Sequence, residues 1–319
     1  MTMRMTAPMA GAQALLDLAR SKERYNKLDQ QVTSGNRIVN VEDDPAGAAL
    51  ILDFQSSIGK NNAYMAQADS ASFSLQNTET SLDTVINSVM RLQELGQTGV
   101  AADAAGRATT ATEVDGLRTS LLSVANTQAS GKYLFAGSKT TTVPFVDVAA
   151  VPASAGPPAT LAVPQSVAYN GNSNTISLDI SASATVATNL PGDSVFFGPG
   201  GKGSATDLFA QVTALRDSLQ APVSAASTAA IQTAQTNLDA IFARFNAARA
   251  DVGGRQAGIT DLKTGLTDLN TSLGNIQNNY QAVDYATAAV ALNSETIAQQ
   301  ASLSVMAKIS QKSLFDYIG

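Results

Sequence analysis

Glu42, Asp43 and Asp44 stand side by side within TSGNRIVNVEDDPAGAA, residues 33–49. Neighbouring carboxylates are the raw material of general acid–base catalysis and of calcium coordination. The surrounding residues give them another use. Gly35 follows the end of a helical run at Val32, where a left-handed residue closes a helix most easily as glycine. Asp44 precedes Pro45, the order of an N-cap and a first helical residue: the carboxylate accepts a backbone N–H, and the missing proline N–H costs nothing there. The acids also favour the positive end of the helix dipole. The spaced ligands of a calcium loop are missing. The stretch therefore reads as a structural turn and helix cap built from Gly35, Arg37, Asp43, Asp44 and Pro45.

Other candidates resolve in the same direction. GPGGKGS, residues 198–204, looks like a phosphate loop, but that pattern needs glycine, four residues, then Gly-Lys-Ser/Thr. Phe196 occupies the first glycine position and Gly203 follows the lysine, so this is a turn. Tyr133 and Phe135 in GKYLFAG have rings that could stack on a sugar, against the blander role of strand core. The chain has no His, Cys or Trp, which removes most zinc, copper and haem sites, His-dependent triads and thiol nucleophiles. Carboxylate chemistry and a Ser–Lys pair survive. No catalytic, cofactor-binding or metal-binding residue is assigned, and no cofactor is expected.

Composition narrows the partners. The 319 residues carry 20 Lys plus Arg against 26 Asp plus Glu, a net charge of −6. A nucleic-acid binder would need a basic face, so none is expected. No stretch approaches the ~18 apolar residues that span a bilayer, and the N-terminus lacks the apolar core of a cleavable signal.

The elements that must position these residues are mostly helices. Ala14, Leu18, Tyr25, Leu28 and Val32, with a lapse at Ser21, follow a heptad-like rhythm. Leu262, Leu266, Leu269, Leu273, Ile276, Tyr280 and Val283 keep the same rhythm. With lapses at Thr287 and Ser294 it runs on through Val290, Ile297 and Ala301, which predicts one uninterrupted helix. About 55 residues of helix would run ~80 Å. Leu75, Leu82 and Val89 predict a helix before a break at Gly96–Gly106, and Val114, Leu117, Leu121 and Val124 predict another. From 132 to 205 the helical period vanishes. Asn170-Gly171 suits a tight hairpin turn, Ile176, Leu178 and Ile180 alternate like a half-buried strand, and PASAGPPATLAVP reads as a flexible excursion. The fold class is mainly α with a β-rich insert (α+β). The two terminal stripes are expected to pair as a coiled coil with each other and with other copies, an intramolecular bundle being the alternative. Leu314, Phe315, Tyr317 and Ile318 form an apolar end expected to bury against a partner or another helix.

TSGNRIVNVEDDPAGAA resembles the N-terminal signature of bacterial flagellins and their relatives. GKYLFAG, YNGN, PGDSVFFG, TDLFAQVTALRDSL and the ending SLFDYI are similar to landmarks of the flagellin family's hook–filament junction branch. The resemblance spans essentially the whole chain and is weakest over 148–164.

That resemblance implies an inner coiled-coil domain (1–43 with 270–319), a helical rod domain (44–131 with 205–269) and an outward β-rich domain (132–204). It implies an extracellular structural adaptor, not an enzyme, joining the hook, through the first hook-associated protein, to the flagellin filament. Identical subunits would form a ring. Export would run through the flagellar type III apparatus without signal cleavage, with a chaperone on the C-terminal helix. Leu18, Tyr25, Leu28 and Val32 would pair with Leu273, Ile276, Tyr280, Val283, Val290 and Ile297 at the assembly interface, which also takes in Leu314 and Phe315. Arg37 would pair with Asp43 or Asp44 at the bend between the inner and rod domains. The alternatives are a filament-forming flagellin and a stalked carbohydrate-binding or enzymatic insert, tested at Asp147, Asp179 and Asp193.

Overall fold

The structure, a computed structural model, describes residues 7–150, 165–181 and 184–318, with side chains described between 12 and 308. The Pro152–Pro164 excursion lies outside the described residues. In chain order come α1 (Ala7–Ser34), α2 (Pro45–Ala101) and α3 (Ala104–Ala125). Six short strands follow: β1 (Gln128–Ala129), β2 (Lys132–Tyr133), β3 (Phe145–Val148), β4 (Ser166–Tyr169), β5 (Ser177–Ser181) and β6 (Ala184–Ala187). A π-turn, Asp193–Phe197, then leads to α4 (Leu208–Gln220), α5 (Ala225–Gln281) and α6 (Tyr285–Ile318). The mainly α fold with a β-rich insert is as expected from the sequence.

Two compact units divide the chain, Met1–Lys60 with Thr267–Gly319 and Asn61–Leu266. The boundaries fall inside α2 and α5. Residues 132–204 lie within the second unit.

In the second unit α2 buries Ala68, Ala71, Leu75, Thr78, Leu82, Val85, Val89 and Leu92, steps of three and four that keep one face inward. α5 answers with Ile231, Ala234, Leu238, Ile241, Phe245, Val252 and Ile259. Each fully buried Leu, Ile or Phe contributes about 1.5–3 kcal/mol. Gln93 with Asp239, Asp83 with Arg249, and Asp69 with Lys263 bridge α2 to α5, and as one number falls the other rises, so the helices run antiparallel. The break expected within Gly96–Gly106 falls at Ala102–Asp103 and not at the first glycines: α2 continues to Ala101, and Asp103 accepts the Gly106 N–H. Gly96 and Gly99 serve packing: a Cβ would lie 2.8 Å from Gln235 Cγ in one case and 2.2 Å from Leu219 Cδ2 in the other.

The insert forms three separate two-stranded antiparallel ribbons, β1–β2, β3–β4 and β5–β6. Ser130 and Gly131, with φ of 50° and 74°, make the positive-φ turn between β1 and β2. Asn170-Gly171 does not join two paired strands. It leads from β4 towards β5, and Gly171 is absent from the positive-φ residues. Leu178 is half-buried and Ile180 buried on β5, as the alternation predicted. The ribbons are fixed to the helices by Phe135, Phe145, Phe196, Phe197, Phe209 and Phe245, which meet edge-on, tilted or stacked at centroid distances of 5.0–5.8 Å.

Candidate assembly interface

In the first unit α1 and α6 pack along each other. Arg24 meets Glu295 at 2.8 Å, while Gly35 lies against Tyr285, so the pair is antiparallel. Along α1 the inward residues are Ala14, Leu18, Ser21, Tyr25, Leu28 and Val32, all at least half-buried. Ser21, a lapse in the apolar stripe, is 3% exposed: a small residue at the tightest point of the seam.

The facing seam of α6 is Ala288, Leu292, Glu295, Gln299, Ser302 and Met306. Val290 and Ile297 are not part of it, being 70% and 59% exposed. The expected pairing of these two with α1 is thus corrected, and the cause is a break in the helix. α5 ends at Gln281, and the expected continuous helix stops there. Arg37 N–H donates to Gln281 O at 2.7 Å, Asn36 bridges Ala282, and Val283 N–H donates to Gly35 O at 2.9 Å. Asp284 then caps α6 by accepting from Ala286 N, Thr287 N and the Thr287 hydroxyl. The interruption resets the heptad phase, so positions in register with Leu273 and Val283 by counting emerge on the far face of α6. The sequence signal for this break is Asp284, three residues before a threonine, a helix start in its own right.

The remaining predicted residues are distributed as follows. Leu273 and Val283 are half-buried, whereas Ile276 and Tyr280 stay 39% and 44% exposed, with the Tyr280 ring 6.3 Å from Phe54. The side chains of Leu314 and Phe315 lie outside the described residues. Gly35, at φ 73°, closes α1 with its N–H on Gln31 O. Asp44 caps α2 through the Gly47 N–H at 2.9 Å, and Pro45 opens the helix. Arg37 reaches Asp44 at 3.2 Å and Tyr280 O at 3.3 Å. Both pair members are substantially exposed, so solvent screens this bond and it fixes the turn more than it stabilises it.

Asp43 turns the other way. Its carboxylate accepts from Val39 N and Asn40 N and meets Lys27 Nζ at 2.7 Å. The Lys27 ammonium is the first cause that holds Asp43 below the ordinary carboxylate range. The Gly47 N–H, then Arg37, does the same for Asp44. Arg24 lowers Glu295. All the acids with resolved shifts in this unit are kept charged by structural partners, the opposite of a carboxyl tuned to donate a proton.

In the second unit burial raises the pKa of Asp207, whose carboxylate is taken up by the N–H groups of Gly203, Phe209 and Ala210 as the cap of α4. Asp147 is gripped by Arg118 at 2.5 and 3.1 Å, Asp193 accepts from the Ser173 hydroxyl, and Asp179 stays exposed on β5. Phe135 is fully buried and cannot stack on a sugar, whereas Tyr133 borders a groove of about 820 Å³ with Phe73 and Leu178. The glycine loop satisfies itself, with Gly203 N donating to Asp207 and Gly200 N to Thr206. Among the described residues, no group of three His, Cys, Asp or Glu could hold a metal ion, and no helix is long and apolar enough to cross a membrane.

Two family models match the chain: the bacterial flagellin N-terminal helical region over residues 7–140 and the bacterial flagellin C-terminal helical region over 230–318. The chain belongs to the flagellin family. A curated relative, flagellar hook-associated protein 3 of Escherichia coli K12, is 29% identical over 249 residues, 74% of this chain and 73% of that protein. The structure of a putative flagellar hook-associated protein from Vibrio parahaemolyticus matches with a TM-score of 0.64 at 20% identity, covering 75% of this chain and all of that one. The flagellar junction protein FlgL from Legionella pneumophila matches with a TM-score of 0.54, also at 20% identity, over 74% of this chain and 100% of its own. These two structures share its fold. The similarity to the hook-associated branch thus agrees with the motifs GKYLFAG to SLFDYI.

Proposed function

We propose that this member of the flagellin family is a structural adaptor of the bacterial flagellum, seated at the junction of hook and filament and without catalytic chemistry. The observation that carries the reading is the orientation of α6. Its inward seam mixes Leu292 and Met306 with Ala288, Glu295, Gln299 and Ser302, while Val290, Ile297, Leu303 and Val305 stay exposed at 70%, 59%, 56% and 52%. A helix that leaves an apolar face uncovered gains from a neighbour. Packing is the whole mechanism: Leu18, Tyr25, Leu28 and Val32 hold α1 on α6, and Leu273, Ile276, Tyr280, Val283, Val290 and Ile297, with Leu314 and Phe315, meet copies of the chain in a ring. The first hook-associated protein lies on one side and flagellin on the other. In this reading the chain acts outside the cell, leaves it through the flagellar export apparatus without signal cleavage, and is escorted by a chaperone on its C-terminal helix. The inner domain is 1–43 with 270–319, the rod 44–131 with 205–269, and the outward domain 132–204.

The test is growth from hook ends that carry the first hook-associated protein. The adaptor reading expects this chain to bind them, to stop after one ring, and to restore flagellin growth. Long filaments of this chain alone would make it a filament flagellin instead.

A further inference from the structure

The chain contains a single Asn-Gly pair, Asn170-Gly171. It does not perform the hairpin turn that such a pair usually marks. The glycine has a packing cause: a Cβ at Gly171 would lie 2.4 Å from Cζ and Oη of Tyr169, so the ring folds over this Cα and admits no side chain. Tyr169 is itself pinned, its hydroxyl donating to Phe135 O and Asn172 O at 2.9 Å. The asparagine has no such cause. Its side chain is exposed and, among the described residues, neither that carboxamide nor the Gly171 N–H has a hydrogen-bond partner. Asn172, two residues on, is the contrast. Its carboxamide oxygen accepts from Ser138 N, and its nitrogen donates to Ser138 Oγ.

We infer that Asn170 is a site of spontaneous deamidation. The Gly171 backbone nitrogen, after losing its proton to hydroxide, attacks Asn170 Cγ. The N–Cγ bond forms, the bond from Cγ to the side-chain nitrogen breaks, and ammonia leaves with a proton from water, giving a five-membered imide. Water then adds to one imide carbonyl and the ring opens. Opening at one carbonyl gives aspartate; opening at the other gives isoaspartate, with one extra methylene in the main chain. The absence of a side chain on residue 171 removes one steric barrier to ring closure, and among the described residues neither reacting group has a hydrogen bond to break before they meet. Asparagine is among the thermolabile residues for this reason.

The two products are not equivalent in this fold. Aspartate adds a negative charge beside Lys139, whose Nζ already reaches Asn170 O at 3.5 Å. Isoaspartate lengthens the chain between Tyr169 and Gly171, where the ring leaves no slack. It therefore loosens the Tyr169 hydroxyl from Phe135 O and Asn172 O.

The experiment ages the full-length chain at mildly alkaline pH beside the same chain in urea and an Asn170→Gln variant. Peptide mass spectrometry follows each asparagine, and hydrogen exchange follows two amides beside the Tyr169 hydroxyl. That of Asn172 donates to Ala136 O at 3.2 Å, and that of Gly192 donates to Phe135 O at 2.9 Å and to the Tyr169 hydroxyl at 3.3 Å. The folded chain is expected to lose the Asn170 amide before any other, faster at higher pH, with isoaspartate-bearing chains exchanging the Gly192 amide faster than aspartate-bearing ones. The Asn170→Gln chain keeps its mass over this peptide. An Asn170 amide that persists in the folded chain while the chain in urea converts it would overturn the proposal. So would earlier loss at another asparagine of the folded chain.

Discussion

Arg107 is 1% exposed and, among the described residues, has no carboxylate partner. Its guanidinium instead donates to Gly99 O, Ser227 Oγ and Thr228 Oγ1, each at 2.9 Å, joining the end of α2, the start of α3 and the start of α5. The C-terminal carbonyls of α2 supply the negative end of a helix dipole, so the cation is compensated by backbone. Arg107→Met would leave Gly99 O and Thr228 Oγ1 without this donor, at about 1–3 kcal/mol for each that stays dry, while Ser227 Oγ keeps its bonds to Ser224; urea unfolding would read the loss. Arg107→Lys should recover only part, because an ammonium cannot keep the guanidinium fork. A methionine variant as stable as wild type would show that water replaces the arginine. Asp147 gives the pH dependence. Arg118, itself buried, lowers its pKa, with the Gln165 amide as a lesser cause. The folded pKa lies below the unfolded value near 3.9, so the stabilisation is complete above that value and is lost as pH falls through the folded one. Asp147→Asn should lower stability at neutral pH and flatten the acid limb of a stability–pH curve. An unchanged acid slope would remove the ion pair from the account.

Among elements, two glycines in helices separate propensity from packing. Gly116 is exposed on α3 with nothing within 4 Å of where a Cβ would stand, whereas the Cβ of an alanine at Gly99 would overlap Leu219, which is 1% exposed. Gly116→Ala should therefore stabilise by about 0.5–1 kcal/mol, the ordinary helix preference. Gly99→Ala should destabilise despite the same preference, by about 1–3 kcal/mol of overpacking. Thermal unfolding of both variants checks the pair, and two shifts of the same sign would refute the packing explanation. The same contrast explains what could be read from sequence. The α2 seam was legible at Leu75, Leu82 and Val89 because period alone places those residues inward. The break within Gly96–Gly106 was legible, but not that Gly96 and Gly99 stay helical ahead of it, because their packing partners lie on α5 and α4, far away in sequence. The turn at Gly35–Pro45 was legible because its caps are local. The phase of α6 was harder to read: Asp284 is its one local signal, while the hydrogen bonds that hold residues 281–283 against Gly35, Asn36 and Arg37 join segments far apart in sequence. Asn170-Gly171 misled for a related reason, since the glycine answers to the Tyr169 ring.

At the scale of the whole molecule, the question is what two faces of one helix do. Ala288 is 6% exposed on the face of α6 towards α1, while Val290, two residues on and about 200° round the helix, is 70% exposed. A lysine at an inward position must bury charge against α1, which costs several kcal/mol unless the helices part. A lysine at an outward position meets only solvent in the free subunit and should change its stability by no more than about 0.5 kcal/mol. The proposed adaptor function turns this difference into a test. Val290→Lys and Ile297→Lys should leave far-UV circular dichroism and α1 amide protection as in wild type, yet abolish ring formation on hook ends. Ala288→Lys should lose α1 protection first and assembly as a consequence. If the outward variants assemble as well as wild type, the apolar face of α6 is not the surface that neighbours cover, and adaptor packing would have to rest on other exposed residues such as Leu15, Leu16 and Leu52. Loss of assembly with the free fold intact would instead assign the outer face to the neighbour and the inward seam to the subunit itself.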